Sequence, residues 1–266
     1  MLLVIDIGNT NINLGVFAGS QNDLLFSFAI SAVSKRTPDE YTLLFNNILR
    51  EHSIGKISST VISSVVPSLT GDTSIACKNI TGCNPFIIGT GTHTGFPIKL
   101  DVQSQLGADI VSNTAAAFEF CKPPFAVVDV GTATTVTAVN SAGQLVGTVI
   151  APGASISLNA LNDSCALLTD VSFTCPDAII GKNSQDSIRS GAFYGHIYMI
   201  DGFIRQLRED LCKNGEKLSL IGTGGLSDKL LPHCRNKFQI IPNLTLRGAA
   251  TIYYLNRNKR TPNYTK

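Results

Sequence analysis

Charge is scarce in this 266-residue chain: Asp, Glu, Lys and Arg together supply 15% of it, against 44% hydrophobic residues. That balance excludes a disordered or fibrous polymer and predicts a compact folded protein. Neither sign dominates. The formal net charge is +2, and the small basic groups, such as Arg257 to Arg260, are too few for a nucleic-acid footprint. Long apolar runs are missing as well, none approaching the ~18 residues of a membrane span. The N-terminus enters a strand pattern at once, with no basic flank or small-residue cleavage site, so the cytoplasm is the expected location.

Metal-binding spacings are also absent. The seven cysteines (Cys77, Cys83, Cys121, Cys165, Cys175, Cys212, Cys234) are odd in number and contain no C-x-x-C pair, which fits reduced thiols. His52, His93, His196 and His233 are scattered, with none of the intervals that build a zinc site.

What is present is alternation of short apolar runs with turns and helical patterns. The length fits one large domain or two ordinary ones, and two are expected. "LLVIDIG", "INLGVFA" and "LLFSFAI" read as an antiparallel meander broken at Gly8 to Asn11 and Gly19 to Asp23. A helix follows from Thr37, with Pro38 in its first position and Glu40 completing a capping box. "ISSTVISSVV" and "PFIIG" read as strands, "SLTGDTSIACKNITG" and "LGADIVSNTAAAFEF" as helices. "KPP" at 122–124 cannot continue a helix, so domains are expected at 1–121 and 122–266.

Beyond that point the order restarts with "FAVVDVG", "TTVTAVN" and "LVGTVIAP", then a long helix, "LSLIGTG", another helix, "KFQII" and a last helix from Leu244. Aligning "VIDIGNT" on "VVDVGTA" superposes Asp6 on Asp129 and Gly8 on Gly131, 123 positions apart (129 minus 6). Two copies of one supersecondary unit explain this.

In each copy an Asp closes an apolar strand, and a Gly two positions on opens a turn rich in small hydroxyl and amide residues, whose main-chain N–H groups can cradle phosphate oxygens. The Asp would repel phosphate directly but can hold a bridging cation. Two such hairpins facing one another would clamp a polyphosphate. The plainer alternative is that Asp6 and Asp129 end strands and seed Asx-turns.

The ordered set "DIGNT", "GADI", "DVGTATT", "IAPGASIS", "IIGKNSQDSIRSG", "GTGG" and "LTLRGA" resembles the type III pantothenate kinases, of the superfamily of acetate and sugar kinases, actin and heat-shock chaperones. The resemblance implies an α/β fold of two tandem ribonuclease H-like domains with the active site in the cleft, a homodimer, and ATP-dependent phosphorylation of pantothenate, the first step towards coenzyme A. It implies a phosphate loop of Asp6, Gly8, Asn9 and Thr10 continuing through Asn11 to Asn13, with Mg2+ near Asp6. It implies Thr132 as an ATP contact, Asp129 as ligand of a monovalent cation, K+ or ammonium, and Asp109 as the base that takes the proton of the substrate's primary hydroxyl. Gly107, Ala108 and Ser184 then contact pantothenate, Ser184 across the dimer interface.

The residues themselves leave other roles open. Asp109 would sit at a helix start, where the macrodipole favours its ionised form by ~0.3–1 kcal/mol. Ser184 is equally a candidate N-cap for the long helix. Pro152–Gly153 and "IGTGG" at 221–225 are either cleft-lining turns or ordinary ones, and Gly191 and Gly195 permit close helix packing between or within chains.

Two positions depart from the family pattern. Ile110 replaces the Arg of G-x-D-R that helps hold pantothenate, a charge-assisted contact of ~1.5–3 kcal/mol, with Arg189 or Lys99 as candidate replacements. Thr137 stands where many members carry Asp. The departures keep two alternatives open, a non-catalytic nucleotide-binding regulatory or accessory protein on the same fold and a phosphotransferase for another small molecule. A filament or chaperone would need inserted elements the chain lacks.

Overall fold

The computed structural model describes residues 1–33, 35–164, 171–213 and 215–259, so Cys165 and Arg260 lie outside the described residues. The first half runs β1 (Leu2–Ile7), β2 (Asn11–Phe17), β3 (Leu24–Ser31), α1 (Pro38–Glu51), β4 (Ser59–Ser64), α2 (Pro67–Thr81), β5 (Phe86–Ile87) and α3 (Ala108–Phe120). The second runs β6 (Phe125–Val130), β7 (Ala133–Val139), β8 (Leu145–Pro152), α4 (Ala154–Ser164), α5 (Ser184–Leu211), β9 (Ser219–Thr223), α6 (Ser227–Leu230), β10 (Gln239–Ile240) and α7 (Leu244–Lys259).

These elements form two compact units. In the first, β1, β2 and β3 make the expected antiparallel meander, and β4 and β5 extend it in parallel, giving the order β3-β2-β1-β4-β5. Every residue of β1 is buried, because helices cover both faces of the strand. Ile5 and Ile7 join Tyr41, Phe45 and Cys77 on the side of α1 and α2. Leu2, Val4 and Val61 join Val111, Ala115, Leu246 and Ala250 on the side of α3 and α7. The capping box at α1 forms as its spacing predicts: Glu40 N–H donates to Thr37 Oγ1 at 3.3 Å, and Thr37 N–H donates to Glu40 Oε2 at 2.7 Å.

The second unit repeats the arrangement, with the order β10-β9-β6-β7-β8. Read outward from the meander, both sheets have the strand order of the ribonuclease H-like fold, as the resemblance implies. Ala126, Val128, Val130 and Val136 pack against Phe193, Ile197, Ile200 and Ile204 of α5, which buries one face of this sheet.

Two differences from the sequence reading stand out. The segment from Asn243, assigned by sequence to the 122–266 domain, belongs to the first compact unit, which otherwise ends at Phe120. The reason is close packing of α7 on α3, where a Cβ on Gly248 would overlap the Ser112 backbone, so only glycine allows the approach. The second difference is α4, a helix in the weakly patterned stretch after Pro152 that periodicity does not reveal.

Candidate active site

Strand register places a polar row at the end of the first sheet. Asp6, the penultimate residue of β1, lies opposite Asn13 on β2 and opposite Ser63 on β4. Cross-strand partners share a face, and here they touch. Asn13 Nδ2 donates to Asp6 Oδ2 at 3.4 Å, and Ser63 Oγ donates to Asp6 Oδ1 at 3.2 Å. The row ends the apolar layer built by Leu2, Val4 and Val61. Asp6 is only 9% exposed, so its carboxylate depends on such donors. Ser63 escaped the sequence reading, although the alternation of "TVISS" places it on the same face as Val61.

Beyond Asp6 the chain reverses. The Gly8 N–H donates to the Asn11 carbonyl at 2.9 Å, which leaves Asn9, Thr10 and Asn11 exposed at the tip.

Asp109 occupies the same end of the same unit. The Val65 N–H donates to the Ile7 carbonyl at 3.1 Å, and a Cβ on Gly107 would lie 3.4 Å from Val65 Cγ1. So α3 begins beside the carboxyl ends of β1 and β4, the edge at which open α/β sheets bind ligands. Ala108 turns its side chain into the core, and Asp109 Oδ1 accepts the Ile110 N–H at 2.8 Å. Burial pushes the Asp109 carboxyl above the ordinary carboxylate range, outweighing the Ile110 N–H and its own N–H, which act downward. The N–H groups at the helix start act in the direction the macrodipole predicts, but loss of water is the larger effect.

The second unit carries the matching row. Asp129, penultimate in β6, lies opposite Thr135 on β7 and Thr223 on β9. Its hairpin is one residue tighter: the Gly131 N–H donates to the Ala133 carbonyl at 3.1 Å, two positions on rather than three. Asp6 and Asp129 are 123 positions apart, whereas Asn13 and Thr135 are 122 apart (135 minus 13). Thr132 is exposed at this tip.

Both glycine turns singled out by sequence converge on that hairpin. The Gly153 N–H donates to the Thr132 carbonyl at 3.1 Å, and a Cβ on Gly153 would overlap the Thr132 and Gly131 carbonyls. Gly224 of "GTGG" has φ +97°, and a Cβ there would lie 2.5 Å from Asp129 Oδ1. Glycine is required at each for close backbone approach.

Other candidates fall differently. Asn183, not Ser184, caps α5, its side chain accepting the Asp186 N–H at 2.9 Å, while Ser184 is exposed in the first turn. Ser184 is therefore free of the capping role that the sequence left open. Arg189 is paired with Asp186 at 2.9 Å, and Lys99 is exposed. Ile110 is buried at 6% exposure, an apolar residue packed into its unit. Thr137 is 2% exposed, and its hydroxyl meets that of Thr148 at 3.3 Å.

The donor set at Asp6 is hard oxygen. Among the described residues no group of three His, Cys, Asp or Glu side chains converges. Carboxylate and hydroxyl oxygens are the donor type that Mg2+ takes, so the chemistry of this set fits that ion. The cysteines among the described residues are free thiols, and no described helix is long and apolar enough to cross a membrane.

A family model described as type III pantothenate kinase matches residues 2–206. The chain belongs to the type III pantothenate kinase family. A type III pantothenate kinase of Pelobacter propionicus is 37% identical over 259 residues, covering 97% of this chain and 100% of that one. The Geobacter sulfurreducens enzyme of the same name is 36% identical with the same coverage. Among solved structures, acetate kinase from Porphyromonas gingivalis matches with a TM-score of 0.53 at 9% identity, covering 96% of this chain and 99% of that one. A Baf family protein from Campylobacter jejuni matches at 0.58 and 21% identity, with coverage of 96% and 99%. These two likenesses are of fold alone, and family membership makes the chain a phosphotransferase.

Proposed function

We propose that this type III pantothenate kinase transfers the γ-phosphoryl group of ATP to the primary hydroxyl of pantothenate with Asp109 as general base. ATP-dependent phosphorylation of pantothenate, the entry step to coenzyme A, is the reaction of the family to which the chain belongs. The observation that carries the assignment of roles is the common edge of the first unit, where Asp6, the Gly8 turn and the start of α3 come together.

Asp109 can orient the pantothenate hydroxyl and take its proton as the oxygen commits to phosphorus. Its raised affinity for protons makes it a better base than an ordinary surface carboxylate. Gly107 supports this role by leaving space for the carboxylate, and Ser184 offers a free hydroxyl for pantothenate. Asn9, Thr10 and Asn11 present main-chain and amide donors to phosphate oxygens, with Asn13 steadying Asp6 behind them. Thr132 contributes the same kind of contact from the second hairpin. Mg2+ at Asp6 would neutralise phosphate charge, and Asp129 with its threonine neighbours offers oxygen ligands to K+ or ammonium.

A homodimer is supported by α5 and the segment before it, where Ile179, Ile180 and Tyr198 are 50%, 75% and 50% exposed beside Gly191 and Gly195. Sedimentation of the purified protein at the mass of two chains is the expected result. The cytoplasm is the compartment in which we expect the reaction.

The deciding experiment is phosphorylation of pantothenate with ATP, Mg2+ and K+ by the wild type beside Asp109→Asn. Turnover by the former and its collapse in the latter are expected. The buried Ile110 favours one rival, a nucleotide-binding protein without turnover. Wild-type protein that binds ATP but forms no phosphopantothenate would establish that rival instead.

A further inference from the structure

We infer that Ser63 is a positioning residue for the Asp6 carboxylate, fixing its direction toward the metal-bound nucleotide; this rests on the nucleotide role proposed for the first hairpin. No feature of the sequence motifs points to Ser63. Its claim comes from register and burial.

Ser63 is 0% exposed on β4, next to the strand's end, and lies opposite Asp6 in the parallel pairing. A fully buried hydroxyl must find an acceptor, and its acceptor is Asp6 Oδ1 at 3.2 Å. Asn13, from the opposite neighbouring strand, takes the other oxygen at 3.4 Å. Donors from two different strands thus reach the carboxylate from opposite sides, Ser63 at Oδ1 and Asn13 at Oδ2. The shorter of the two contacts belongs to Ser63, whose two-atom side chain on a central strand has little freedom. Asn13 is longer, half-buried and on the hairpin strand that carries the phosphate loop. Ser63 therefore supplies the reference that does not move with the loop.

The duplicated unit provides a comparison. Thr223 stands opposite Asp129 as Ser63 stands opposite Asp6, and it is 3% exposed. A β-hydroxyl residue beside the strand-ending Asp occurs in both copies, and the second copy carries the extra methyl.

The test uses the full chain with Ser63→Ala, Ser63→Cys and Ser63→Thr, and the non-hydrolysable ATP analogue AMPPNP as probe. Calorimetry at graded Mg2+ measures analogue affinity, steady-state kinetics separate the KM for ATP from the KM for pantothenate, and thermal melts report folding. Ser63→Ala and Ser63→Cys are expected to weaken Mg2+–AMPPNP binding roughly tenfold, the effect of losing one hydrogen bond to a charged group. The Mg2+ midpoint should rise, the KM for pantothenate should stay within twofold, and Ser63→Thr should restore binding. The Cys variant, nearly isosteric, keeps the test valid where Ala disturbs the fold. Unchanged Mg2+–AMPPNP affinity in Ser63→Ala and Ser63→Cys overturns the inference, as does equal weakening for pantothenate or failure of a folded Ser63→Thr to recover. Wild-type protein that does not bind Mg2+–AMPPNP at all would instead overturn the nucleotide role of the hairpin.

Discussion

Gly107 and Asp109 are arranged so that a single methyl group on the first would overlap the carboxylate of the second. The helix start therefore tolerates its acidic side chain only because the residue two positions earlier has none. Gly107→Ala must rotate the Asp109 carboxyl or shift the first turn of α3. Displacement of a catalytic group by about an ångström costs on the order of 10²-fold in rate. We expect kcat for pantothenate phosphorylation to fall by at least about tenfold, with a stability loss of ~1–3 kcal/mol from overpacking. Parallel kinetics and urea melts check both.

Asp109→Asn should lower kcat by ~10²–10⁴, the usual worth of a positioned base. It should also change stability in a direction fixed by the raised carboxyl. The folded chain holds the Asp109 proton more tightly than the unfolded chain does. The burial penalty is therefore absent at low pH and grows as pH rises past the unfolded carboxyl value. Asparagine carries no charge and can still accept the Ile110 N–H. Its melting temperature should exceed the wild type's at pH 8, and the gap should narrow towards pH 4. For the wild-type enzyme the acid limb of kcat/KM should lie above the ordinary aspartate range.

Local chemistry made much of this legible. Thr37, Pro38 and Glu40 announce α1 because a capping box is a short-range device, and the twin Asp-x-Gly turns announce the repeat because strand ends need polar residues. Three features were not legible, each for a physical reason. The docking of α7 on α3 is a long-range contact resting on the absence of a Cβ at Gly248, which no local pattern encodes. The partnership of Ser63 with Asp6 depends on pairing between strands 57 residues apart in sequence. At Asp109 the macrodipole can be read from a helix start, whereas the larger effect, burial, exists only once the fold has closed over the side chain.

Gly224→Ala asks whether the second glycine turn is held as tightly as its contacts imply. Its φ of +97° is strained for any residue with a Cβ, and that atom would meet Asp129 Oδ1 and the Val130 N at 2.5 Å each. The turn is also tied down, with the Leu226 N–H donating to the Val130 carbonyl at 3.1 Å. Relief by a small local shift is therefore unavailable. We expect destabilisation of ~1–3 kcal/mol. Because the intruding methyl presses on the proposed cation ligand, the K+ concentration for half-maximal activity should rise as well. A variant that melts lower but keeps the wild-type K+ midpoint would separate Asp129 from cation binding.

His196 provides the last prediction, and its sign is opposite to that of most histidines that gain a partner on folding. The ring is 6% exposed on α5, and its Nε2 meets Thr134 Oγ1 at 2.7 Å, joining the helix to the strand that leaves the second hairpin. Burial holds its pKa below the ordinary 6.5, so the folded chain resists a proton that the unfolded chain accepts. Stability is then unaffected by this group well above pH 6.5 and is lost progressively as pH falls through that value. His196→Gln keeps a partner for Thr134 but cannot titrate. Its melting temperature should fall less than the wild type's between pH 7.5 and pH 5.5. His196→Ala, which strands the buried Thr134 hydroxyl, should cost ~1–3 kcal/mol at pH 7.5. If the glutamine variant follows the wild-type pH curve, the acid sensitivity of this unit originates elsewhere.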